Sequence, residues 1–195
     1  GERQTQYWLN NTDFVMLNKI EKAYKKSDVS EINDLVSKYL TAKAACDQAT
    51  LQSLVTDPTE FDDMSVLENS AKYLKGFEDT TCYLADGYAE GEYVVVELSY
   101  MDIADVESKP LDIVTFYIIT DQDGSYKIAN GELSNAQLSY LNSFKASKDI
   151  QDIYVHVKEN TEYLLDTDKT FRAFYDLISK PATTENTAAT PEDAQ

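Results

Sequence analysis

The stretch Glu92-Tyr-Val-Val-Val-Glu-Leu-Ser-Tyr100 decides the fold predicted for this chain. Val and Tyr favour β-strands, and successive side chains of a strand point to opposite faces. The pattern predicts a strand over Tyr93–Ala104. Its two faces carry Val94, Val96, Leu98 and Tyr100 on one side, and Tyr93, Val95, Glu97, Ser99 and Met101 on the other. The first face is the more apolar and is the predicted core face, so we expect Leu98→Asp to unfold the domain and Glu97→Lys to have little effect.

The same period of two continues on both sides of this strand. It predicts an earlier strand over Phe77–Tyr88 and later strands over Leu111–Thr120 and Tyr126–Asn130. The residues Asp121-Gln-Asp-Gly124 separate the last two strands and are typical of a hairpin turn. Consecutive strands joined by short connections predict an antiparallel meander.

Apolar residues recur at helical spacing before the strands. One helix is predicted over Thr12–Lys26, and a second, longer helix follows an Asp28-x-x-Glu31 capping-box pattern and runs to about Val55. The core stripe predicted for the long helix is Ile32, Leu35, Val36, Tyr39, Ala42, Cys46 and Ala49. A second capping-box pattern, Ser65 with Glu68, predicts a short third helix that ends at Leu74.

Helical spacing returns after the strands. A capping box formed by Ser134 and Gln137 opens a helix over Asn135–Lys145, and two further helices are predicted over Asp149–Leu165 and Asp168–Ile178. Their predicted apolar stripes are Ile150, Ile153, Val157 and Leu164, then Phe171, Phe174 and Ile178. Helices followed by a meander and further helices indicate an α+β fold.

Composition and charge exclude several classes of protein. The 195 residues carry a formal net charge of −18, which argues against nucleic-acid binding and against docking on anionic lipid, because both need clustered Lys and Arg. No apolar run approaches the ~18 residues of a membrane span. The chain has one His and two Cys, and it lacks the common nucleotide-binding, zinc-protease and serine-hydrolase motifs, so no metal site and no cofactor are predicted.

Two groups of residues resemble the nuclear-transport-factor-2-like family. Tyr39-Leu-Thr-Ala42, Asp47, Leu51 and Leu54 are similar to the end of the family's long helix. The strand residues are similar to those of extracytoplasmic members from Gram-positive bacteria, which occur as lipoproteins or on membrane-anchored proteins; they are Glu92–Tyr100, Pro110 and Asp123-Gly-Ser-Tyr-Lys-Ile128. The resemblance covers about residues 30–131. It implies a cystatin-like cone, in which N-terminal helices pack on a curved antiparallel sheet and a pocket lies at the open end.

The resemblance also implies a domain organisation and a location. Residues 1–29 are expected to hold the N-terminal helix and a stalk, residues 30–131 the cone, and residues 132–179 a C-terminal helical extension. Residues 180–195 contain no large apolar residue and are expected to form a disordered tail. Because the chain starts at Gly1, we expect that an anchor has been removed and that the full-length protein is extracytoplasmic and membrane- or lipid-anchored.

The candidate ligand pocket consists of Tyr39, Asp47, Tyr100, Asp102 and Phe116. Enzymes of the resembled family place His, Asp, Arg or Tyr in the cone, and this chain has no His or Arg between residues 4 and 155. An isomerase-like pair stays open, in which Tyr39 or Tyr100 donates to an oxyanion and Asp47 or Asp102 acts as the base. The alternative is that both tyrosines are core aromatics, and no catalytic residue is assigned.

Other candidate sites have simple structural alternatives. Cys46 and Cys82 are either a disulfide, which an extracytoplasmic location permits, or two free thiols. The residues from Asp121 to Glu132 imitate a calcium-binding loop but lack its central Gly, so a hairpin turn is predicted there. His156 is expected at the surface or edge of its helix. The strand tyrosines form either an exposed aromatic surface or ordinary strand positions; they are Tyr83, Tyr93, Tyr100, Tyr117 and Tyr126.

Two functions of different classes follow. The first is a non-enzymatic extracytoplasmic accessory or ligand-binding module, whose partner at the cell surface is a small molecule, a glycan or a protein; no nucleic acid is expected, and a dimer through the sheet face is one option. The second is a small-molecule isomerase or dehydratase that uses a Tyr/Asp pocket inside the cone. A deep pocket around a desolvated carboxyl would favour the enzyme, and a pocket filled by side chains would favour the module.

Overall fold

The computed structural model describes residues 25–180 of the chain. Most of the predicted helix Thr12–Lys26 and almost all of the predicted tail therefore lie outside the described residues. The last two residues of that helix are described, and the prediction is wrong for them. Lys25–Lys26 form a short strand, β1, which pairs with Leu84 and Tyr83.

A five-stranded antiparallel sheet, curved and ordered as in the sequence, forms the centre of the described structure. Its other strands are β2 (Leu74–Asp86), β3 (Tyr93–Ile103), β4 (Leu111–Thr120) and β5 (Tyr126–Ile128). The meander prediction is confirmed, and the bounds of β4 are those predicted. Gly124 occupies the hairpin turn before β5 with φ of +83°, a conformation that favours glycine.

Three helices and one 3-10 turn precede β2. The helices are α1 (Ser30–Ala45), α2 (Gln48–Leu54) and α3 (Ser65–Ala71), and the 3-10 turn is Pro58–Phe61. The single long helix predicted to about Val55 is wrong, because Cys46 adopts a left-handed conformation with φ of 52° and ends α1. The Asp47 carboxylate then accepts a hydrogen bond from the Thr50 backbone N–H at 3.1 Å and starts α2.

The two capping boxes predicted in this half do not form. The N-cap of α1 is Val29, which has no capping side chain, and Asp28 instead pairs with Lys25 at 2.6 Å. At α3 the capping acceptor comes from Asp63, whose Oδ1 takes the backbone N–H of Ser65 at 2.9 Å. The third helix is also shorter than predicted, since Leu74 already belongs to β2.

Three helices follow the sheet, as predicted: α4 (Asn135–Ala146), α5 (Lys148–Thr167) and α6 (Lys169–Ser179). The predicted capping box of α4 is confirmed, because the Ser134 Oγ accepts from the Gln137 N–H at 3.1 Å and the Gln137 Oε1 accepts from the Ser134 N–H at 2.9 Å. None of the helices between Lys25 and Lys180 is long and apolar enough to cross a membrane.

Helices cover both faces of the sheet. On one face, Val95 and Phe116 share a core cluster with Ile32 and Val36 of α1. On the other face, the second core cluster joins β3 to α5 through Val96, Leu98, Ile150 and Ile153. The prediction of a single core face on β3 is therefore wrong, and every residue from Val94 to Ser99 is buried.

Some predicted stripe residues are displaced by this packing. Ala49 is exposed, whereas Leu40, which the predicted stripe omitted, is buried. In the C-terminal helices Ile150, Ile153, Leu164 and Phe171 are buried as predicted. Ile178 is 53% exposed, so the predicted apolar stripe of α6 does not hold at its last residue.

Candidate functional site

Two of the five predicted pocket residues come together. The ring of Tyr39, from α1, meets the ring of Phe116, from β4, edge-on with centroids 5.4 Å apart. Phe61 contacts the same tyrosine with centroids 6.4 Å apart. These aromatic rings occupy part of the space between α1 and the sheet, and burial raises the pKa of the Tyr39 hydroxyl.

The other three predicted pocket residues lie elsewhere. Tyr100 belongs to the cluster on the opposite face of the sheet, beneath α5. Asp102 stands across from Gly76 at the far end of β3. Asp47 is exposed as the cap of α2, and hydrogen bonds from Thr50 lower the pKa of its carboxyl. The five residues therefore do not form one pocket.

The other candidate sites from the sequence are also described by the structure. Cys46 and Cys82 are two free thiols and do not form a disulfide. The exposed aromatic surface is wrong for Tyr83 and Tyr117, which are 1% and 3% exposed. His156 is half-buried on α5. In the part of the chain that the structure describes, no group of three or more metal-ligating side chains is found.

The structure buries the carboxyl group of Glu97, although the strand pattern predicted that this residue lies on the face of β3 opposite the core. Glu97 is 0% exposed, and its neighbours across the sheet are Cys82 on β2 and Val114 on β4. Ser99 lies two residues along the same face and is 1% exposed. Among the described residues, neither carboxylate oxygen of Glu97 nor the hydroxyl of Ser99 has a hydrogen-bond partner.

The charges around Glu97 come from two other elements. Asp112, on β4, is the cross-strand partner of Ser99, and Lys43 projects from α1. Burial raises the pKa of Glu97 to about 7, the Ser99 hydroxyl opposes this rise, Asp112 adds to it and Lys43 opposes it. Burial also raises the pKa of Asp112, against the pull of Lys43.

The thiol of Cys82 responds to the same environment. Burial, with the added negative charge of Glu97, raises its pKa to about 12. A thiol with such a pKa stays protonated at neutral pH and is a poor nucleophile. We call this group of neighbouring side chains the Glu97 cluster; it consists of Lys43, Cys82, Glu97, Ser99 and Asp112.

A second polar group, centred on Glu92 directly before β3, is held by side-chain hydrogen bonds. Glu92 accepts a hydrogen bond from the Tyr117 hydroxyl and another from the Gln137 side-chain amide at 2.7 Å. The Tyr117 hydroxyl in turn accepts from the Tyr88 N–H at 3.0 Å. Burial and the bond to Glu92 raise the pKa of Tyr117 to about 12. These bonds join α4 to the sheet, so Glu92 and Tyr117 have a structural role.

An open cleft of about 260 Å³ lies between α1 and the early part of β2. Ser37, Thr41 and Ala44 line its helical side, and Phe77 and Thr80 line its strand side. Glu97 is not among the residues that line it. The cleft lies on the same face of the sheet as the Glu97 cluster, but the Glu97 carboxyl does not open into it.

No family model, curated protein or solved structure matches the chain. The likeness to the nuclear-transport-factor-2-like family therefore stays a resemblance carried by the residues quoted from the sequence.

Sequence analysis missed Glu97, although a signal for its burial was present. The residues that flank it on the same face, Val95 and Ser99, are small or apolar, and the preceding residues form the continuous apolar run Val94–Val96. A run that is apolar on both faces is typical of a strand covered on both sides. The apolar stripes of the C-terminal helices also needed a surface, and the second face of the sheet provides it.

Proposed function

We propose that this chain is a non-enzymatic extracytoplasmic module of the nuclear-transport-factor-2-like type, anchored at a bacterial cell surface and acting as an accessory or ligand-binding domain. The α+β order of elements and the sequence resemblance support the cone-shaped fold. The large negative charge supports a partner other than nucleic acid or anionic lipid.

The filled interior is the observation that carries the non-enzymatic proposal. Tyr39 packs edge-on against both Phe61 and Phe116 between α1 and the sheet, and these rings take up the interior that a substrate would need. Of the residues available for isomerase chemistry, Tyr39 and Tyr100 lie on opposite faces of the sheet. Asp102 lies near the end of β3, and Asp47 is the exposed cap of α2. General acid–base catalysis needs the acid and the base within hydrogen-bond reach of one substrate, and this arrangement does not provide it.

One observation favours the second candidate, an acid–base enzyme. A carboxyl with a pKa of about 7 in a desolvated site has the properties of a general acid or base at neutral pH. Glu97 would take that role in place of the Tyr/Asp pair. A substrate would reach it only after α1 moves away from the sheet, because α1 covers that face.

A fragment screen monitored by amide NMR separates the two proposals. A module with a filled interior is expected to show fragment-induced shifts at the surface, and none at Tyr39, Phe116 and Glu97. Tyr39→Ala is the matched control, because it opens a cavity that small apolar fragments enter. Saturable fragment binding at Glu97 in the wild-type protein would support the enzyme and contradict the filled module.

The proposed location has its own test. Protease treatment of intact cells that express the full-length protein is expected to digest this domain while a cytoplasmic marker stays intact. Full protection of the domain in intact cells, with digestion after lysis, would contradict an extracytoplasmic location.

A further inference from the structure

We propose that Glu97 and Ser99 form a proton-controlled latch beneath α1, which holds this helix on the sheet while the Glu97 carboxyl is protonated and loosens it when the carboxyl ionises. This device is independent of the proposed function, since it concerns the packing of α1 and not the identity of a partner.

Geometry places the latch at the centre of the fold. β3 is the middle strand of the five, so Glu97 is enclosed by β2 and β4 on its two sides. The opposite face of the sheet is closed by α5. α1 closes the face that Glu97 shares with Val95, and α1 is therefore the element that must shift for water to reach the carboxylate.

The unsatisfied oxygens give the latch its direction. A protonated Glu97 needs to place one hydroxyl proton, and the Ser99 oxygen two residues along the strand is an unused acceptor on the same face. An ionised Glu97 needs several donors for its two oxygens, and the Ser99 hydroxyl can turn to supply only one of them. A buried carboxylate with so few donors is unstable relative to a hydrated one, so ionisation favours the state in which α1 has moved.

Four neighbours set the pH at which this happens. Lys43 on α1 favours the ionised form, and Asp112 on β4 favours the protonated form. Cys82 on β2 carries no charge at neutral pH, because its own pKa is raised to about 12. Ser99, on the same strand, favours the ionised form. One positive and one negative neighbour offset each other, so burial decides the outcome and raises the pKa of Glu97 to about 7.

Lys43 and the cleft explain why α1 is able to move. Lys43 is half-buried, so its side chain leads from the cluster to the solvent. The cleft of about 260 Å³ already separates part of α1 from β2. Cys46, in a left-handed conformation, ends α1 and forms the joint between α1 and α2.

Hydrogen exchange across pH tests the latch in the full chain. For each amide of α1, the protection factor in the wild type is divided by that in Glu97→Gln, which cancels the intrinsic pH dependence of exchange. This ratio is expected to fall about tenfold between pH 6 and pH 8 and to level off above pH 8. Glu107→Gln, at an exposed position, is the matched control and should follow the wild type. For the amides of α4, the ratio of protection in the wild type to that in Glu97→Gln should stay constant across this pH range.

Two results would overturn the latch. One is an equal pH response of α1 in the wild type and in Glu97→Gln. The other is an equal loss of protection in α1 and in the sheet, which would show global unfolding and no local movement. If Glu97→Gln does not fold, Asp112→Asn and Lys43→Met replace it. The pH at which the protection of the α1 amides has half fallen must be lower in Asp112→Asn and higher in Lys43→Met than in the wild type. An unchanged midpoint in both variants contradicts the latch.

Discussion

At the scale of single residues, Glu97 shows how strongly the surroundings of a side chain determine its chemistry. Glu92, five residues earlier on the same chain, accepts hydrogen bonds from Tyr117 and Gln137. Glu97 has no such donors and is fully buried. Two glutamates of one short segment therefore differ in role: one joins elements of the fold, and the other makes its stability sensitive to pH.

The stability of the protein is expected to fall as the pH rises from about 5 to about 8. The pKa of Glu97 is about 7 in the folded protein and has its ordinary value near 4.5 when unfolded. Between these values the folded state binds the additional proton, so the free energy of unfolding decreases with rising pH, by about 3 kcal/mol in total. Urea unfolding of the wild type and Glu97→Gln at several pH values measures this: the difference between them should grow with pH, and parallel curves would contradict it.

Glu97→Lys is expected to unfold the domain, which reverses the expectation drawn from the strand pattern. The position is 0% exposed, so the ammonium group would be buried, and it would lie near the positive charge of Lys43. Leu98→Asp should have an equally severe effect from the other face, where Leu98 is 3% exposed. Circular dichroism and thermal melts of both variants, with Glu107→Lys as the exposed control, give the comparison. A Glu97→Lys protein that melts within a few degrees of the wild type would show that the position is not enclosed.

At the scale of secondary structure, the break between α1 and α2 is the feature that local periodicity did not show. The apolar stripe continues through Cys46 and predicts one helix, yet Cys46 takes a positive φ and the chain changes direction. The hydrogen bonds that support the break are short-range. Asp47 N–H bonds to the carbonyl of Ala42 at 2.9 Å, and the Asp47 side chain accepts from the Thr50 hydroxyl at 2.7 Å.

Replacing Cys46 tests the break directly. A left-handed conformation is unfavourable for a residue with a Cβ by about 1 kcal/mol or more, and glycine avoids this penalty. Cys46→Gly is therefore expected to be more stable than Cys46→Ala by about 1 kcal/mol, and both lack the thiol, so the lost sulfur contacts cancel in the comparison. Chemical denaturation measures the difference. A Cys46→Ala protein that is the more stable of the two would indicate that α1 and α2 form a continuous helix in solution.

At the scale of the whole molecule, the C-terminal helices are part of the core and not an addition to it. α5 contributes Ile150 and Ile153 to the cluster that buries Val96 and Leu98. α6 closes the far end of the sheet, where Phe171 packs with Ile103 and Leu164. The boundary between a cone at residues 30–131 and an extension at residues 132–179 consequently cuts through the hydrophobic cluster on the second face of the sheet.

A chain that ends at Gly131 is therefore not expected to fold. Without α4 and α5 the second face of the sheet would expose Val96, Leu98, Leu111 and Ile113 to water. The control is a chain that ends at Lys180, which retains all described elements and should keep the melting temperature of the full protein. Amide NMR dispersion and thermal melts decide the outcome, and a folded, monomeric chain ending at Gly131 would show that residues 30–131 are an independent domain.

Local signals account for the parts of the fold that the amino-acid sequence predicted well. The bounds of β4, the Ser134/Gln137 capping box and the turn at Gly124 depend on residues that are close together in the chain. Side-chain alternation, capping and positive φ angles act over a few residues, so a pattern within one segment contains the necessary information. The antiparallel order of the strands follows from short connections, which are also local.

Contacts between distant segments decided the rest. Whether Glu97 faces water or the core depends on α1, about 55 residues earlier, and the burial of the opposite face depends on α5, about 55 residues later. The candidate pocket failed for the same reason, since Tyr39 and Phe116 meet between α1 and one face of the sheet, whereas Tyr100 lies on the other face. A strand pattern names the two faces but not the elements that cover them, and burial by those elements sets both the core and the pKa of its carboxyl.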